Sequence, residues 1–169
     1  MKKCMCLLAL ASLIGPASTT NAQPAKAGRA LLVGTWRFVS ANQQLADGTD
    51  KPDPQTGARG VGFLIYTETG QMCAVIANPD RPRWRSASPT DAEVRAAFEG
   101  LVAYCGSYEV NVLDGYVVHH IEMDREPNLA GSDRKRYFSI SGNRLVLRPA
   151  PPLPPGVREW AIVWERVGQ

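Results

Sequence analysis

The amino-acid sequence predicts a mainly β fold, in which about eight antiparallel strands close into a barrel that carries one α-helix. From Leu31 onward, short alternating or apolar runs recur between Gly, Asp, Asn and Pro residues, which is typical of an antiparallel all-β domain. Most of these runs follow one another closely enough to form hairpins. Closing such a meander into a barrel removes its exposed strand edges.

The predicted strands follow the chain in hairpin order. The first is LVGTWRFVSA, after which the turn-rich segment DGTDKPDPQTGARG interrupts the pattern. VGFLIYTETGQMCAVIA predicts a hairpin that turns at Glu68, Thr69 and Gly70. The remaining strands are predicted by GSYEVNV, by GYVVHHIEM, by KRYFSI paired with NRLVLRP, and by EWAIVWERV.

One stretch, at about residues 90–104, has the period of a helix. Thr90 and Glu93 form a capping-box pattern, in which each side chain satisfies a backbone N–H of the first turn. The apolar residues that follow fall on one face at helical spacing: Val94, Ala97, Phe98 and Leu101. We therefore expect a helix over TDAEVRAAFEGLVAY whose apolar face packs against the core.

The two histidines of the chain, His119 and His120, are adjacent in GYVVHHIEMD. Consecutive strand residues point to opposite faces, so the pair cannot converge on one metal ion or one proton from a regular strand. The residues that share a face with His119 are apolar: Val117, Ile121 and Met123. Those that share a face with His120 turn polar and charged: Val118, Glu122 and Asp124. We expect His119 to face the interior and His120 the solvent, unless a β-bulge shifts the register.

The next strand places an arginine on its more apolar face. Arg136 shares that face with Arg134, Phe138 and Ile140, and antiparallel pairing could bring it near His119. A buried arginine is costly unless it is paired or solvated. A wet cavity or a ligand with a carboxylate or enolate would meet that cost, because arginine can hold a carboxylate with two parallel hydrogen bonds.

The first 22 residues predict a secretory signal peptide. Lys2 and Lys3 open the segment, and an apolar run from about Met5 to Ile14 follows, which is too short to span a bilayer as a helix. Small residues lead to a cleavage site after Ala22. We therefore expect an exported protein, periplasmic or secreted, with residues 23–30 as a short extension and residues 31–169 as the barrel domain.

Removal of this segment leaves a nearly neutral chain. Without Lys2 and Lys3, 17 basic residues face 16 acidic ones, a formal charge of +1. This balance gives no electrostatic reason to expect binding to nucleic acid or to an anionic membrane. No further apolar stretch approaches membrane-spanning length.

Two cysteines, Cys73 and Cys105, remain after cleavage. In an oxidising compartment they could form a disulfide, although a chain of this size can also fold with two free thiols. A zinc site is not predicted, because there is no nearby histidine and no C-x-x-C spacing. No cofactor is predicted either.

Several motifs together resemble a bacterial family of lipocalin-like domains, which are calycin-type β-barrels. Gly34, Thr35 and Trp36 match the Gly-x-Trp that opens lipocalin-type barrels, and VWERV supplies Arg166 on the last strand. Between them lie RPRW, AFEGLVAYCGSYEV, VVHHIE and RYFSISGNRLVL, in that order, so that the pattern covers nearly all of residues 31–167. The resemblance implies a lipocalin-like barrel in which Arg166 packs over Trp36 and closes the base.

Three functions are compatible with such a barrel. In the first, the interior binds a small ligand, mostly apolar or carrying a carboxylate, at apolar residues with a few polar anchors. The ligand-contacting residues would be Phe38, Tyr66, Met72, Phe138, His119 and Arg136.

In the second function, an isomerase or cyclase uses His119 as general acid or base and Arg136 to stabilise negative charge. In the third, the barrel is filled and structural. No G-x-S-x-G, H-E-x-x-H, P-loop or G-x-G-x-x-G fingerprint occurs, which favours binding over catalysis.

Overall fold

The computed structural model describes residues 28–168, and the predicted signal peptide lies outside them. The elements are β1 (Gly34–Leu45), β2 (Asp50–Pro52), β3 (Val61–Tyr66), β4 (Gln71–Ala77), α1 (Asp91–Glu99), β5 (Leu101–Asn111), β6 (Tyr116–Asp124), a 3₁₀ turn (Pro127–Leu129), β7 (Asp133–Ser141), β8 (Arg144–Pro149) and β9 (Val157–Arg166). The sheet order is β2-β1-β3-β4-β5-β6-β7-β8-β9, and β1 also pairs with β9. Eight antiparallel strands therefore close a barrel, which confirms the predicted fold class, and β2 is a short addition to β1.

The antiparallel order gives the barrel two different ends. One end carries short connections at residues 67–70, 112–115 and 142–143, together with a helical segment at residues 28–32. The opposite end carries the longer connections, at residues 46–60, 78–100, 125–132 and 150–156. We call these the closed end and the open end.

Large side chains fill the half of the barrel that lies toward the closed end. Each of them is less than 2% exposed: Leu32, Trp36, Leu64, Tyr66, Met72, Tyr108, Val117, His119 and Leu145. Most of them come from strands, in which every second side chain points inward because successive residues face opposite sides of the sheet. Leu32 comes instead from the helical segment, which includes residues 28–30 of the predicted extension.

A tryptophan and an arginine tie the first and last strands together at the closed end. The indole N–H of Trp36 donates to the carbonyl of Leu32 over 2.7 Å, and the Arg166 guanidinium lies 4.0 Å from the Trp36 ring centroid. Arg166 also donates to the carbonyls of Leu31 and Val33. Gly34 is required here, because its φ is +130° and a Cβ would lie 2.8 Å from Arg166.

The helix α1 is shorter than predicted. Thr90 caps it as expected, accepting a hydrogen bond from the Glu93 backbone N–H, while the Glu93 side chain accepts from Thr90. The predicted extension to residue 104 is wrong, because Gly100 ends the helix and residues 101–104 pair with β4. Sheet pairing at these residues therefore overrides the helical pattern.

The predicted packing of this helix against the core is also wrong. No residue of α1 is buried, and Val94 and Phe98 are 49% and 43% exposed. The Phe98 ring is covered instead by the Arg125 guanidinium, 4.4 Å from its centroid. Within residues 28–168, no helix combines the length and apolar character needed to cross a membrane.

A bulge in β6 reverses the directions in which the next two side chains point. Gly106 pairs with Ile121 but Cys105 pairs with Met123, so Glu122 is an extra residue in the strand. Met123, predicted to face inward, is 62% exposed. Asp124, predicted to face outward, has a side chain only 4% exposed. These two predictions are wrong for this reason.

The two cysteines face each other across the β4–β5 pair. Cys73 and Cys105 are register partners with Cα atoms 4.1 Å apart, and their sulfur atoms are bonded. Both side chains lie on the outer surface, opposite in direction to the buried neighbours Met72 and Tyr104. The disulfide therefore joins two adjacent strands without contributing to the interior.

Candidate functional site

A cavity of about 80 Å³ lies inside the barrel toward the open end. Its apolar wall consists of Ala41, Ala74, Ile76, Val102, Leu147 and Ile162. Its polar and aromatic wall consists of Asp53, Gln55, Thr56, Tyr104, Arg134, Arg136, Trp160 and Trp164. The cavity thus combines an apolar lining with a concentrated set of polar groups, the usual composition of a small-molecule site.

Three buried polar atoms of this wall have no hydrogen-bond partner among residues 28–168. They are the indole nitrogens of Trp160 and Trp164 and the hydroxyl oxygen of Thr56. An indole N–H can only donate, and leaving a donor unpaired in a protein interior costs about 1–3 kcal/mol. All three atoms belong to residues that line the same small cavity.

Two of the three charged side chains of the cavity wall, Arg134 and Asp53, have hydrogen-bond partners on their charged groups. Arg134 donates to Asp124 over 2.7 Å. The Asp53 carboxylate accepts from the Gln43 amide and from the backbone N–H groups of residues 55 and 56. Arg136, in contrast, has no acidic partner within 4.0 Å among the described residues, and it donates to the carbonyl of Lys135 over 3.1 Å.

Partial burial changes the electrostatics of this arginine. Desolvation lowers the pKa of Arg136, since the charged guanidinium loses contact with water. The nearby positive charge of Arg134 lowers this pKa further. An anion placed against Arg136 would offset both effects.

His119 lies deeper in the barrel, below the cavity, and both of its ring nitrogens have partners. Nε2 is 2.6 Å from the Tyr66 hydroxyl, and Nδ1 is 3.3 Å from the Tyr104 hydroxyl. Tyr104 in turn belongs to the cavity wall. His119 is fully buried, so it reaches the cavity only through Tyr104.

The surroundings keep this histidine neutral. Burial, followed by the positive charges of Arg136 and Arg134, holds the pKa of His119 well below its ordinary value of 6.5. Burial likewise raises the pKa of Tyr66 well above 10. At neutral pH the imidazole therefore has one N–H donor and one acceptor nitrogen.

Comparison with known proteins identifies the family. Residues 33–167 match the family described as the lipocalin-like domain. The chain belongs to this family. The match covers the whole barrel, from the strand that carries the Gly-x-Trp motif to the strand that carries Arg166.

Solved structures resemble this lipocalin-like barrel only distantly. A lipocalin-like protein from Bacteroides uniformis is 14% identical with a TM-score of 0.42, over 80% of this chain and 97% of that one. An uncharacterised protein from Bacteroides eggerthii is 12% identical with a TM-score of 0.40, over 80% and 98%. A mutant of the fluorescent protein UnaG is 14% identical with a TM-score of 0.40, over 82% and 98%. No curated protein matches the chain.

The predicted ligand residues of this lipocalin-like barrel do not all lie on the cavity wall. Arg136 lines the cavity, as the alternation of β7 predicts. The others lie outside the cavity wall, in the packed half or beside it: Phe38, Tyr66, Met72, His119 and Phe138. Phe38 remains close to the site, because its ring contacts that of Trp164 edge-on at 5.5 Å between centroids.

His120 lies on the outer surface, as predicted. Its Nδ1 is 2.7 Å from the Asp133 carboxylate, and its side chain is 36% exposed. No group of three or more His, Cys, Asp or Glu side chains within residues 28–168 is arranged to hold a metal ion.

Sequence reasoning missed several residues of the cavity wall. Every second residue of β9 shares one face of the strand, and this face carries Trp160, Ile162, Trp164 and Arg166. Because Arg166 is expected to pack over Trp36 inside the barrel, its position also predicts that both tryptophans point inward. Arg134 was on the predicted inward face of β7, but only Arg136 was selected as a ligand contact. The cavity-facing position of Tyr104 is not predicted, because the sequence pattern places its segment in the helix.

Proposed function

We propose that this lipocalin-like barrel binds a small molecule in its open-end cavity, and that the bound group is a carboxylate or a similar oxyanion on a mostly apolar molecule. The observation that carries this proposal is that Arg136 and two tryptophans with unpaired indole N–H groups, Trp160 and Trp164, line one cavity. All three are hydrogen-bond donors, and arginine is well suited to a carboxylate.

The size of the cavity limits the ligand. Its volume of about 80 Å³ is well below the roughly 300–1,000 Å³ of sites for drug-sized molecules. A short-chain carboxylate would fit almost completely. A longer ligand would place its polar head against Arg136 and extend through the open end. The apolar residues of the wall, such as Ile76 and Ile162, favour a hydrocarbon next to the head group.

The alternative functions have weaker support. A general acid or base must reach the reacting atoms, but His119 is fully buried and both ring nitrogens are engaged by tyrosines. A filled structural barrel accounts for the closed-end half. It does not account for three unpaired polar atoms around one cavity in the open-end half.

NMR of the tryptophan indoles tests the binding proposal. The purified protein, labelled with ¹⁵N, is titrated with butyrate. We expect the indole N–H signals of Trp160 and Trp164 to move, because the carboxylate accepts from them. Trp36 already donates to Leu32, and Trp84 is 51% exposed and lies outside the cavity wall, so their signals should stay in place.

A variant connects this binding to the arginine. Arg136→Met should weaken butyrate binding about tenfold or more, because a hydrogen-bonded charge is lost. Arg144→Met, on the exposed surface of β8, is the matched control and should bind like the wild type. Equal binding by the two variants, or no movement of either cavity indole at saturating butyrate, would contradict the proposal.

We also propose that the protein is exported. The signal-peptide pattern of residues 1–22 supports export, and so does the Cys73–Cys105 pair, since disulfides persist in oxidising compartments. The protein is produced in an exporting host, and its intact mass is measured after denaturation without reduction. The mass should equal that of a chain that begins at Gln23, less the two hydrogens lost when the disulfide forms. An uncleaved chain would contradict the proposal.

A further inference from the structure

We propose that Tyr104 is a ligand-facing hydrogen-bond donor and that His119 orients it, so that the cavity selects for groups that only accept hydrogen bonds. This inference rests on the proposed function and adds a specificity residue to it. It follows from the hydrogen bonds that the buried Tyr66–His119–Tyr104 relay can make at one time.

Tyr66 fixes the first step of the relay. Tyr66 is 1% exposed, and the hydrogen-bond partner of its hydroxyl within residues 28–168 is His119 Nε2. If Nε2 carried the proton, the Tyr66 O–H would be left without an acceptor in the interior, which is costly. The Tyr66 O–H therefore donates to an unprotonated Nε2.

The second step follows from the first. A neutral imidazole with an acceptor at Nε2 carries its proton on Nδ1. The Nδ1–H then donates to the Tyr104 oxygen, 3.3 Å away. The Tyr104 O–H therefore cannot donate to His119. It can donate instead to a group in the cavity, which Tyr104 lines.

An ion pair holds the Tyr104 ring in this position. The Arg134 guanidinium lies 4.5 Å from the ring centroid, and Arg134 is itself fixed by its 2.7 Å contact with Asp124. The bulge at Glu122 is what turns the Asp124 side chain inward to make this contact. The ring is thus packed between a cation and His119.

With Tyr104 directed in this way, the donors of the polar wall outnumber its acceptors, among which are the Gln55 amide oxygen and the Thr56 hydroxyl. The phenol O–H, two indole N–H groups and the Arg136 guanidinium all require acceptors. The one carboxylate of the wall, Asp53, is already occupied by three donors. A carboxylate can accept from this set with both oxygens. An amide of the same size has one acceptor oxygen instead of two and would satisfy fewer of these donors, so butyramide should bind more weakly than butyrate.

The direction of the relay can be measured without any ligand. Long-range ¹⁵N–¹H NMR of the imidazole distinguishes the two neutral tautomers. We expect His119 to carry its proton on Nδ1 in the ligand-free protein at neutral pH. A proton on Nε2 would overturn the inference regardless of what the cavity binds.

The role of Tyr104 is tested with a pair of matched variants. Tyr104→Phe should weaken butyrate binding about tenfold, the value of a hydrogen bond to a charged group, and should reduce the preference for butyrate over butyramide. Tyr108→Phe is the control. Tyr108 is also a buried tyrosine, but its hydroxyl donates to the carbonyl of Thr67 at the closed end, so binding should change less than about twofold.

A spectroscopic readout separates a positioning role of His119 from a purely structural one. Binding of butyrate to Tyr104 should strengthen the connected hydrogen bonds and move the His119 Nδ1–H signal, and Tyr104→Phe should abolish that movement. If the indoles of Trp160 and Trp164 respond to butyrate but Tyr104→Phe binds as wild type, the inference is overturned and the proposed function stands. If neither indole responds, both fall.

Discussion

At the scale of single residues, His119 shows how burial changes what a residue can do. An unperturbed histidine titrates near neutral pH and is a common acid–base catalyst. Here the side chain is fully buried between Tyr66 and Tyr104, below two arginines, and its pKa lies well below the ordinary 6.5. The residue that sequence alone marks as a catalytic candidate is therefore better suited to orienting a neighbour than to exchanging protons.

This environment makes the stability of the protein depend on pH. Below pH 6.5 the unfolded chain gains a proton at His119 that the folded protein does not take up, so the free energy of unfolding should fall as the pH decreases from 6.5 toward the folded pKa. The slope for one proton is at most about 1.4 kcal/mol per pH unit. Urea unfolding at steps between pH 7.5 and 5 measures it.

The exposed neighbour provides the control for this prediction. His120 lies on the outer surface, where solvent screens its contact with Asp133, so His120→Asn should keep most of the slope between pH 6.5 and 5. A wild-type unfolding free energy that is constant over this range would contradict the prediction, and so would a slope that disappears in the His120 variant.

At the scale of strands and helices, the alternation of apolar residues predicts most of the architecture and fails where local geometry intervenes. It predicts the inward directions of His119 and Arg136, because β6 and β7 are regular at these positions. It fails at Asp124, because the extra residue in β6 has no local sequence signature. It fails at Tyr104 because a helical pattern continues past Gly100, whereas pairing with β4 decides the structure.

The β4–β5 pair carries a covalent link whose contribution can be measured. Cys73 and Cys105 are separated by 32 residues, and closing a loop of this length should stabilise the fold by about 3–4 kcal/mol through the entropy of the unfolded chain. The double variant Cys73→Ala/Cys105→Ala should lose this amount in urea unfolding. Reduced wild type should resemble the variant, and equal stability of oxidised wild type and variant would contradict the prediction.

At the scale of the whole molecule, the barrel divides into a packed half and a half that contains the cavity. The sequence could predict the barrel and its closed end, since Gly34, Trp36 and Arg166 form a recognisable pattern. It could not predict the cavity. An unpaired indole N–H depends on which polar atoms of distant strands fall within hydrogen-bond distance, and the periodicity of a single strand does not contain that information.

The pairing of β1 with β9 also determines how the molecule would behave on a support. The backbone N–H of Val167 donates to the carbonyl of Thr35 over 2.8 Å, so both ends of the barrel-forming chain emerge on the side opposite the cavity. A reporter protein or a solid surface attached beyond residue 168 would therefore leave the entrance to the cavity facing the bulk solution. Under the proposed function, the barrel therefore suits an immobilised sensor in which the indoles of Trp160 and Trp164, both on the cavity wall, report on the analyte.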